Sequence, residues 1–355
     1  MAVGPASASN AGRAGSLAQF TMSTLPATLD STASAAQERR AGIFAVGAHL
    51  PEGILSNGDL EAMVETSDSW IMERTGIRLR HRAAAGETSS EMGAKAAAKA
   101  LARWGGGGID ALVVATASPD TLFPSTACLI QRKLGLGGIP AFDVSAACSG
   151  FIYGLTISEG LIRSRVADRI LLVATESMTS LVDFGDRSTC VLFGDGAGAA
   201  VVGAVSQGGI AGRRLGADGG LGHLIYYGPK PDEPLTPDRI RMSGKGTFRM
   251  AVERFCDVTT QVCADAGWAL AEIDHFVPHQ ANQRIIEAAA KRLGLPMERV
   301  VLNVERTGNT SAASIPMALA EADSRGRFKP GDRLVAAAFG AGATWGAVAW
   351  EWGGG

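Results

Sequence analysis

The chain has 355 residues, 46% of them hydrophobic and 19% charged, a composition typical of a packed globular protein with one large or two smaller domains. Lys and Arg total 33 against 35 Asp and Glu, and the formal charge of -2 excludes an overall field that attracts nucleic acid or an anionic membrane. Five cysteines, an odd number without CxxC spacing, argue against a disulfide framework and a zinc site and favour a reducing cytoplasm.

The first 40 residues are rich in Ala, Ser, Thr and Gly and show no repeated apolar period, which predicts a disordered leader. Arg13 is the only basic residue before Glu38, so the arginine-rich pattern of a transit peptide is weak, and Met22 is an alternative start. Along the whole chain, no uninterrupted apolar run reaches the roughly 18 residues that a membrane-spanning helix needs.

From residue 41 the pattern alternates between strand and helix. GIFAVGAHL predicts a strand, and helices are expected over residues 59–64 and from Trp70 onward, the second capped by Ser67 or Asp68. Residues 89–104 have the Ala-rich composition of a good helix former, and the four glycines that follow end that helix. The next segment, IDALVVATAS, has the continuous apolar character of a buried strand.

One α/β unit occurs twice along the chain. The first copy consists of the strand IDALVVATAS at 109–118, a helix ending in KLGL at 133–136 and the strand AFDV at 141–144. The second copy consists of IDHFVPHQ at 273–280, a helix ending in RLGL at 292–295 and a predicted strand VLNV at 301–304. This repetition predicts a duplicated α/β protein with halves at 41–205 and 206–355, after the leader of residues 1–40.

Three chemically capable side chains follow predicted strands of the two copies. Cys148 comes after AFDV, His279 lies at the end of IDHFVPHQ, and Asn309 occupies roughly the place in the second copy that Cys148 holds in the first. Because ligands gather at the carboxyl ends of strands in open α/β sheets, pairing of the two halves is expected to bring these residues together.

Cys148 is placed between a short strand and the beginning of a predicted helix. The unpaired N–H groups and positive dipole end of such a helix favour the thiolate, so we expect the pKa of this thiol to lie below its ordinary value of about 8.5. Cysteine is also among the most frequently buried residue types, and a plain core residue is the alternative.

Two glycine-containing segments are candidate ligand sites. CVLFGDGAGAAVVGAV at 190–205 lacks GxGxxG spacing and continues with strand-like residues, which favours close strand packing over dinucleotide binding. VAAAFGAGATWGAVAWEW, at 335–352, predicts two strands joined by a glycine-rich turn whose N–H groups can approach a ligand.

Cys, His and Asn in this order permit two chemistries. A papain-like protease uses such a set, but its CGSCW-type signature is absent and the duplicated α/β pattern does not suit it. In the other, cysteine carries an acyl group while His and Asn donate hydrogen bonds to a carbonyl that becomes an enolate. Taken alone, His279 is equally explained as a buried core histidine and Asn309 as a turn residue.

The motifs AFDVSAACSGF, VPHQAN and GNTSAASIP together resemble the β-ketoacyl-acyl carrier protein synthase III family, condensing enzymes of the thiolase superfamily. ETSDSWIMERTGIR at 65–78 and FGDGAGAA at 193–200 are also in register with this family, and the resemblance covers about residues 41–355. It implies a five-layered α/β/α/β/α thiolase fold and a homodimer. It further implies an acyltransferase that condenses an acyl-CoA primer with malonyl-acyl carrier protein, giving 3-oxoacyl-acyl carrier protein and CO2 and starting type II fatty acid synthesis.

The resemblance also assigns roles to individual residues. Cys148 matches the acyl-accepting nucleophile, and His279 and Asn309 match the pair that assists decarboxylation of the malonyl thioester. The backbone N–H groups of Cys148 and Ala341 would form the oxyanion hole, where Ala341 stands at a place that often holds glycine in the family. This chemistry requires neither a metal nor another cofactor.

The substrate-binding residues follow in the same way. Trp70 and Arg187 match residues that stack on either side of the adenine of coenzyme A, Arg74 and Thr66 lie near the same end, and Asn282 would line the pantetheine channel. A basic patch for the acidic acyl carrier protein is expected from Lys245, Arg249, Arg284 and Lys291 on two predicted helices. Phe123 matches a position that reaches into the acyl pocket of the partner subunit. Ordinary core packing explains Trp70 equally well, and a solvated surface explains the charged residues.

Several functional alternatives stay open at the level of sequence. A relative of the synthase III enzymes in specialised metabolism could prime a polyketide or transfer the acyl group to another nucleophile. A hydrolase would release the acyl group to water, and a catalytically silent subunit would bind acyl-CoA or carrier protein without reacting. The acyl primer, whether short, branched or long, is not determined by the sequence.

Overall fold

A computed structural model describes residues 39–353, so the proposed leader lies almost entirely outside the described residues. Within that range the chain forms thirteen strands and nine α-helices. The strands are β1 (Arg40–His49), β2 (Gly53–Ser56), β3 (Leu79–Arg82), β4 (Ala111–Ala115), β5 (Ala141–Val144), β6 (Arg169–Ser177), β7 (Asp195–Val205), β8 (Gly209–Ala217), β9 (Ile225–Gly228), β10 (Arg239–Met242), β11 (His275–Pro278), β12 (Arg333–Gly340) and β13 (Thr344–Glu351). The helices are α1 (Asn57–Glu61), α2 (Asp68–Thr75), α3 (Ser89–Trp104), α4 (Thr126–Leu134), α5 (Gly150–Arg163), α6 (Gly244–Ala266), α7 (Gln283–Leu293), α8 (Val304–Thr307) and α9 (Ser314–Ser324).

Local sequence signals set the ends of several helices as predicted. The Ser67 hydroxyl accepts the N–H of Trp70 and begins α2. Helix α3 has the predicted bounds, and it ends where Gly105 adopts a left-handed conformation with φ of 62°. No helix between residues 39 and 353 combines the length and the apolar character that a membrane span requires.

Two large sheets organise the molecule. The first has the strand order β1-β7-β6-β4-β5 and lies within residues 40–205, and the second has the order β11-β12-β13-β8 and lies within residues 209–351. The pairs β2-β3 and β9-β10 form two small separate sheets. In the first sheet β4 runs parallel to β5 and β6, whereas β7 runs antiparallel to both β6 and β1. The second sheet repeats this scheme, because β11 and β12 are parallel while β13 is antiparallel to β12 and β8.

The duplication extends to individual contacts before β4 and β11. The Asp110 N–H donates to the carbonyl of Arg169, and its carboxylate accepts the Arg169 N–H. Asp274 makes the same pair of contacts with Arg333. The two ID dipeptides noticed in the sequence therefore start equivalent strands in equivalent ways.

The strand predicted at 301–304 was wrong, and the side chain of Gln280 explains why. Only a single parallel bridge joins Val300 to Phe276, where the first sheet has the whole of β5. The buried Gln280 amide oxygen instead accepts the N–H groups of Asn303 and Val304, and α8 begins at Val304. A side chain thus satisfies backbone donors that a fifth strand would have paired.

The elements stack as five layers. Helices α3 and α4 cover the outer face of the first sheet, and α6 and α7 cover that of the second. Helices α5 and α9 lie between the two sheets, in a core that includes Phe151, Leu155 and Trp350. The central helices therefore begin where strands of both sheets end, which places the turns before α5 and α9 together.

Close packing of α9 against β7 explains Gly198 in segment 193–200, where the sequence predicted close packing between strands. A Cβ atom at Gly198 would lie 2.7 Å from the backbone nitrogen of Met317 in α9. Only glycine allows the central helix to lie this close to β7.

Candidate active site

Cys148 lies in a short 3-10 turn, residues Ala147–Ser149, which leads from β5 into α5. Ala147 has a φ of 44°, the left-handed region that residues other than glycine rarely adopt. A matching turn, Ser311–Ala313, leads into α9, and Ser311 has a φ of 48°. The structural equivalent of Cys148 in the second half is therefore Ala312, so Asn309 precedes that position rather than occupying it.

The glycine-rich turn between β12 and β13 lies against the Cys148 turn. A Cβ atom at Gly340 would lie 2.7 Å from the backbone nitrogen of Cys148. The Thr344 hydroxyl donates to the Ala146 carbonyl at 2.9 Å, and the Ser149 hydroxyl donates to the Thr344 carbonyl at 3.1 Å. These contacts hold the backbone of Cys148 beside Ala341, the other residue expected in the oxyanion hole.

The electrostatics of Cys148 differ from the sequence-based expectation of a lowered pKa. Burial at the base of the pocket raises the pKa of this thiol to about 12, and the Ser311 hydroxyl acts in the opposite direction without reversing the result. Desolvation of a thiolate here exceeds the stabilisation that a helix N-terminus provides. The thiol is therefore protonated at rest.

His279, which follows β11, is buried and neutral. Its ring Nδ1 lies 2.7 Å from the hydroxyl of Ser314, which also accepts the N–H of Gln280 at 3.3 Å. Because that hydroxyl already accepts a hydrogen bond, its own hydrogen is available to Nδ1, an arrangement that favours the tautomer with hydrogen on Nε2. Burial lowers the pKa of His279 to about 3, so the ring can donate a hydrogen bond without carrying charge.

Asn309 presents the second neutral donor. Its side-chain oxygen accepts the N–H of Ser311 at 2.9 Å, which leaves the amide NH2 group for the pocket. Its backbone N–H donates to the Leu192 carbonyl at 2.8 Å, and its carbonyl accepts the N–H of Gly194 at 3.1 Å. Asn309 is thus fixed both by its own turn and by the segment that precedes β7.

Arg80, a fully buried residue of β3, supports that same segment. Its guanidinium donates to the Val191 carbonyl, with Nε at 3.0 Å, and to the side chain of Asn57. Burial lowers the pKa of Arg80 to about 10. The buried Arg80 cation therefore holds the backbone at Val191, next to Leu192, whose carbonyl accepts the Asn309 N–H.

Cys148, His279 and Asn309 line one cavity of about 580 Å³. Most of its remaining lining is apolar, which gives a dry interior. The apolar and aromatic lining residues include Met178, Leu181, Val191, Leu192, Phe193, Ile225, Ile240, Met242, Phe248, Phe255 and Phe339. Within residues 39–353, no three or more His, Cys, Asp or Glu side chains gather as a potential metal site.

The mouth of this cavity holds most residues predicted to bind coenzyme A. Trp70, Arg74, Arg187 and Asn282 all line it. The Arg187 guanidinium lies 5.0 Å from the centre of the Trp70 ring. A flat ring inserted between them needs about 7 Å, twice the contact distance of about 3.5 Å between carbon atoms, so Arg187 has to move before a base enters.

The remaining predicted residues lie at different distances from the cavity. Lys245 and Arg284 line the mouth, whereas Arg249 and Lys291 are exposed on the same helices, α6 and α7, without lining it. The remaining two lie elsewhere.

Thr66 and Phe123 do not line the cavity. Thr66 precedes α2, and its hydroxyl is buried with no hydrogen-bond partner. Phe123 lies on the surface and is 84% exposed.

Other lining residues were not anticipated from the sequence. Ser311 follows Asn309 by two residues inside the motif GNTSAASIP, and Thr75 directly follows Arg74, so extending each motif would have found both. Phe193 begins FGDGAGAA, whose glycines attracted attention instead. Glu176 does not line the cavity, but it lies behind Cys148 and carries no motif of its own.

A cysteine heading a central helix, together with two neutral hydrogen-bond donors, defines a thiol-dependent acyltransferase on a duplicated five-layer fold. Models of the 3-oxoacyl-[acyl-carrier-protein] synthase III family match residues 142–219, and residues 263–352 for its C-terminal part. The β-ketoacyl-[acyl-carrier-protein] synthase III 2 of Deinococcus radiodurans is 48% identical over 88% of this chain and 94% of that protein. The chain belongs to the 3-oxoacyl-[acyl-carrier-protein] synthase III family.

Solved structures confirm the thiolase-like fold predicted from the sequence. The β-ketoacyl-[acyl-carrier-protein] synthase III of Thermus thermophilus has a TM-score of 0.85 and 45% identity, covering 88% of this chain and all of that one (100%). The priming β-ketosynthase of the R1128 polyketide pathway has a TM-score of 0.85 and 36% identity, covering 89% and 97% of the two chains. The Deinococcus and Thermus synthases III, at 48% and 45% identity, are more similar to this chain than the polyketide priming enzyme at 36%, which favours the main functional prediction over the polyketide alternative.

Proposed function

We propose that this protein is a β-ketoacyl-acyl carrier protein synthase III that joins an acyl-CoA primer to malonyl-acyl carrier protein and starts type II fatty acid synthesis. The single observation that carries this proposal is one apolar cavity lined by a cysteine and two neutral donors, His279 and Asn309. Family membership supports the same reaction.

The first half-reaction loads the primer onto Cys148. The thiol sulfur attacks the thioester carbonyl of acyl-CoA, and the oxyanion that forms is stabilised by the N–H groups of Cys148 and Ala341. The carbon–sulfur bond to coenzyme A breaks, and the proton released by Cys148 leaves with coenzyme A as its free thiol. Because burial keeps Cys148 protonated, this proton transfer is part of the barrier to loading.

The second half-reaction forms the carbon–carbon bond. The malonyl thioester loses CO2, and the electrons of the broken bond form an enolate whose oxygen accepts hydrogen bonds from His279 and Asn309. The enolate carbon attacks the acyl-cysteine carbonyl, 3-oxoacyl-acyl carrier protein is released, and the Cys148 thiolate takes a proton from solvent. Neutral donors in a dry cavity suffice for this chemistry, so we expect activity to survive chelation with EDTA.

The cavity mouth suits coenzyme A and the acyl carrier protein. Stacking on Trp70 and Arg187 would hold the adenine ring, while Asn282 lines the channel toward Cys148. Lys245 and Arg249 are one turn apart on α6, and Arg284 and Lys291 are two turns apart on α7, so each pair shares one exposed helix face. An acidic carrier protein is expected to dock on these faces.

We propose that Arg187 contributes to coenzyme A binding rather than to chemistry. Arg187→Ala is expected to raise KM for acyl-CoA roughly tenfold with little change in kcat, because stacking acts on bound substrate before and during the reaction. A fall in kcat at unchanged KM would contradict this role. Steady-state kinetics with varied acyl-CoA measure both constants.

We also propose a homodimer formed at the edge of the first sheet. Strand β5 is the last strand of that sheet, and all four of its residues are only partly buried. Leu122 and Phe123, which precede α4, are 90% and 84% exposed, an unusual exposure for large apolar side chains. Light scattering of the parent and of Phe123→Asp tests this, and a monomeric parent would refute the dimer.

Five free cysteines support a reducing, cytoplasmic location, and separation of cell fractions tests it. The decisive experiment for function uses purified protein, a panel of acyl-CoAs and malonyl-acyl carrier protein. We expect a thioester adduct on Cys148, release of CO2 and formation of 3-oxoacyl-acyl carrier protein.

Two results would overturn the proposed function. Reversible binding without an adduct indicates a silent subunit, and an adduct that is released only to water indicates a hydrolase. The primer that loads fastest also identifies the acyl preference, which the sequence left open.

A further inference from the structure

Glu176 is a fully buried carboxyl group that the proposed reaction does not use. It lies near the end of β6, in the first sheet, and its charge acts on the nearby Cys148 thiol. A buried carboxyl group is costly unless it is well hydrogen-bonded, so its presence beside the nucleophile calls for a physical role.

The hydrogen bonds of Glu176 join loops from both halves of the molecule. The Ala117 N–H, after β4, donates to both carboxyl oxygens at 3.0 and 3.2 Å. The Ala312 N–H, in the turn before α9, donates to Oε1 at 3.4 Å. One side chain thus ties the end of β4 to the turn that carries Ser311.

Two hydroxyl groups also donate to Glu176. The Ser118 hydroxyl donates to Glu176 at 2.6 Å and itself accepts the Ser177 N–H, while the Thr116 hydroxyl donates at 3.3 Å and accepts the Ser118 N–H. Backbone N–H groups donate to both carboxyl oxygens, and each hydroxyl already accepts one hydrogen bond, so its own hydrogen is available to Glu176. A group surrounded by donors is favoured as a carboxylate over a carboxylic acid. Burial raises the pKa of Glu176, and these hydrogen bonds oppose that change.

The charges around Cys148 are otherwise few. His279 is neutral, and the cations of the cavity, Arg74, Arg187, Lys245 and Arg284, lie at its mouth. The elements packed on the Cys148 turn are α5, β12, β13 and the turn Ser311–Ala313, which leads into α9. Tyr153 lies in the first turn of α5, and its hydroxyl donates to the Gly216 carbonyl at 2.9 Å. The other ionisable residues of α5, α9, β12 and β13 lie about 10 Å or more along each element from the end near the Cys148 turn: Glu159, Arg163, Glu321, Asp323, Arg333 and Glu351.

We propose that Glu176 is a positioning residue whose ionised carboxylate holds the turn before α9 against Cys148, and whose negative charge adds to burial in disfavouring the Cys148 thiolate. This role rests on the proposed condensing activity. It gives the enzyme a nucleophile that is protected from adventitious electrophiles, and it fixes Ser311 and Asn309, two residues apart, relative to the sulfur.

The test compares alkylation of Cys148 by iodoacetamide between pH 6 and 9 in the parent and in Glu176→Gln. Alkylation follows the thiolate fraction, and loss of the negative charge is expected to shift the rate profile by roughly 0.5–1 pH unit, or threefold to tenfold faster alkylation at a given pH. Condensation is expected to fall at least tenfold, because an amide NH2 in place of Oε2 cannot accept the hydroxyl hydrogens of Ser118 and Thr116 or the N–H of Ala117. Mass spectrometry of the Cys148 peptide separates this thiol from the other four.

Glu176→Asp is the matched control, since it keeps the charge but shortens the side chain. We expect parent-like alkylation within twofold and reduced condensation. Unchanged or slower alkylation in Glu176→Gln, equally fast alkylation in Glu176→Asp, or condensation by Glu176→Gln within twofold of the parent would each overturn the proposal. A purely structural role would lower condensation without moving the alkylation profile.

Circular dichroism verifies folding of each variant. If Glu176→Gln does not fold, Thr116→Val replaces it, because it removes one donor to the carboxylate with nearly unchanged shape. Condensation is then expected to fall at least threefold, and a parent-like rate overturns the proposal. Alkylation needs neither acyl-CoA nor carrier protein, so failure of the parent to condense would refute the proposed function while leaving the role of Glu176 in thiol protection testable.

Discussion

The turns Ala147–Ser149 and Ser311–Ala313 have the same backbone conformation but carry different side chains. Each begins a central helix, each has a left-handed residue in first place, and each follows the corresponding part of one half of the duplicated fold. The first turn carries Cys148, the proposed nucleophile, in second place, whereas the second turn carries Ala312 there. The two turns thus repeat one backbone conformation with different side chains, and the proposed mechanism assigns acyl transfer to the first turn and enolate stabilisation to Asn309 beside the second.

The buried ionisable groups near the two turns also differ. A buried acid, Glu176, lies near the end of β6 and acts on Cys148, and a buried histidine, His279, follows β11 and lines the cavity. Burial raises the pKa of the acid and lowers the pKa of the base. The two halves thus place groups of opposite pH response near one cavity.

The largest expected effect on activity comes from removing the Cys148 thiol, or from moving it to the equivalent position in the second turn. Cys148→Ala is expected to reduce loading and condensation about 10⁴-fold or more, because no other group takes the acyl chain. Cys148→Ala combined with Ala312→Cys is expected to stay inactive, since Ala312 is buried and does not line the cavity. Intact-mass measurement after incubation with acyl-CoA reads the result, and acylation of residue 312 would mean that the turns are interchangeable.

The second largest effect is expected at Asn309 and His279, the proposed enolate-stabilising residues of the cavity. Asn309→Ala and His279→Ala are each expected to slow decarboxylation of malonyl-acyl carrier protein by about 10²–10³-fold, the usual effect of removing one preorganised donor. Loading of Cys148 is expected to change far less. Release of labelled CO2 measures decarboxylation, and quenched assays of Cys148 acylation measure loading. An equal loss of rate in both steps would contradict separate roles for Cys148 and for the His279–Asn309 pair.

A smaller effect concerns the dependence of stability on pH. The folded-state pKa of His279, about 3, lies below its ordinary value of 6.5, so the unfolded chain binds more protons and stability is lost as pH falls from about 6.5 toward 3. The slope from this one group reaches about 1.4 kcal/mol per pH unit. His279→Asn is expected to remove that slope in urea unfolding series, and an unchanged slope would show that His279 does not titrate on unfolding.

The same unfolding series gives a prediction of opposite sign for Glu176. Its pKa is raised by burial, so its contribution to stability is lost as pH rises above the ordinary range of a glutamic acid. Glu176→Gln is therefore expected to lessen any loss of stability as pH rises above 4.5. A steeper loss in the variant would contradict that sign.

The smallest effect tests the shared left-handed conformation. Ala147→Gly is expected to change the free energy of unfolding by no more than about 1 kcal/mol, because relief of strain and a more flexible unfolded chain oppose each other. Ala147→Val is expected to destabilise by about 2 kcal/mol or more, since β-branched residues disfavour a positive φ. Thermal unfolding measures both, and equal stability of the two variants would contradict the argument from φ.

The sequence by itself located several elements and indicated the three candidate site residues. Periodicity and caps located α2 and α3, the repeated ID and LGL segments revealed the duplication, and spacing after strands indicated Cys148, His279 and Asn309. Such signals are local, so they can be read from neighbouring residues along the chain. The three residues line one cavity in the structure.

Only the tertiary structure decided the quantities that depend on distant neighbours. The helix N-terminus predicted a lowered pKa for Cys148, but burial by both halves raises it. The apolar run at 301–304 predicted a strand, but the side chain of Gln280 takes the backbone donors. Glu176 had no motif to mark it, because its partners come from loops more than fifty residues before it and more than a hundred after it in sequence. Burial and long-range hydrogen bonds arise from packing, and they set how the residues that the sequence identified can act.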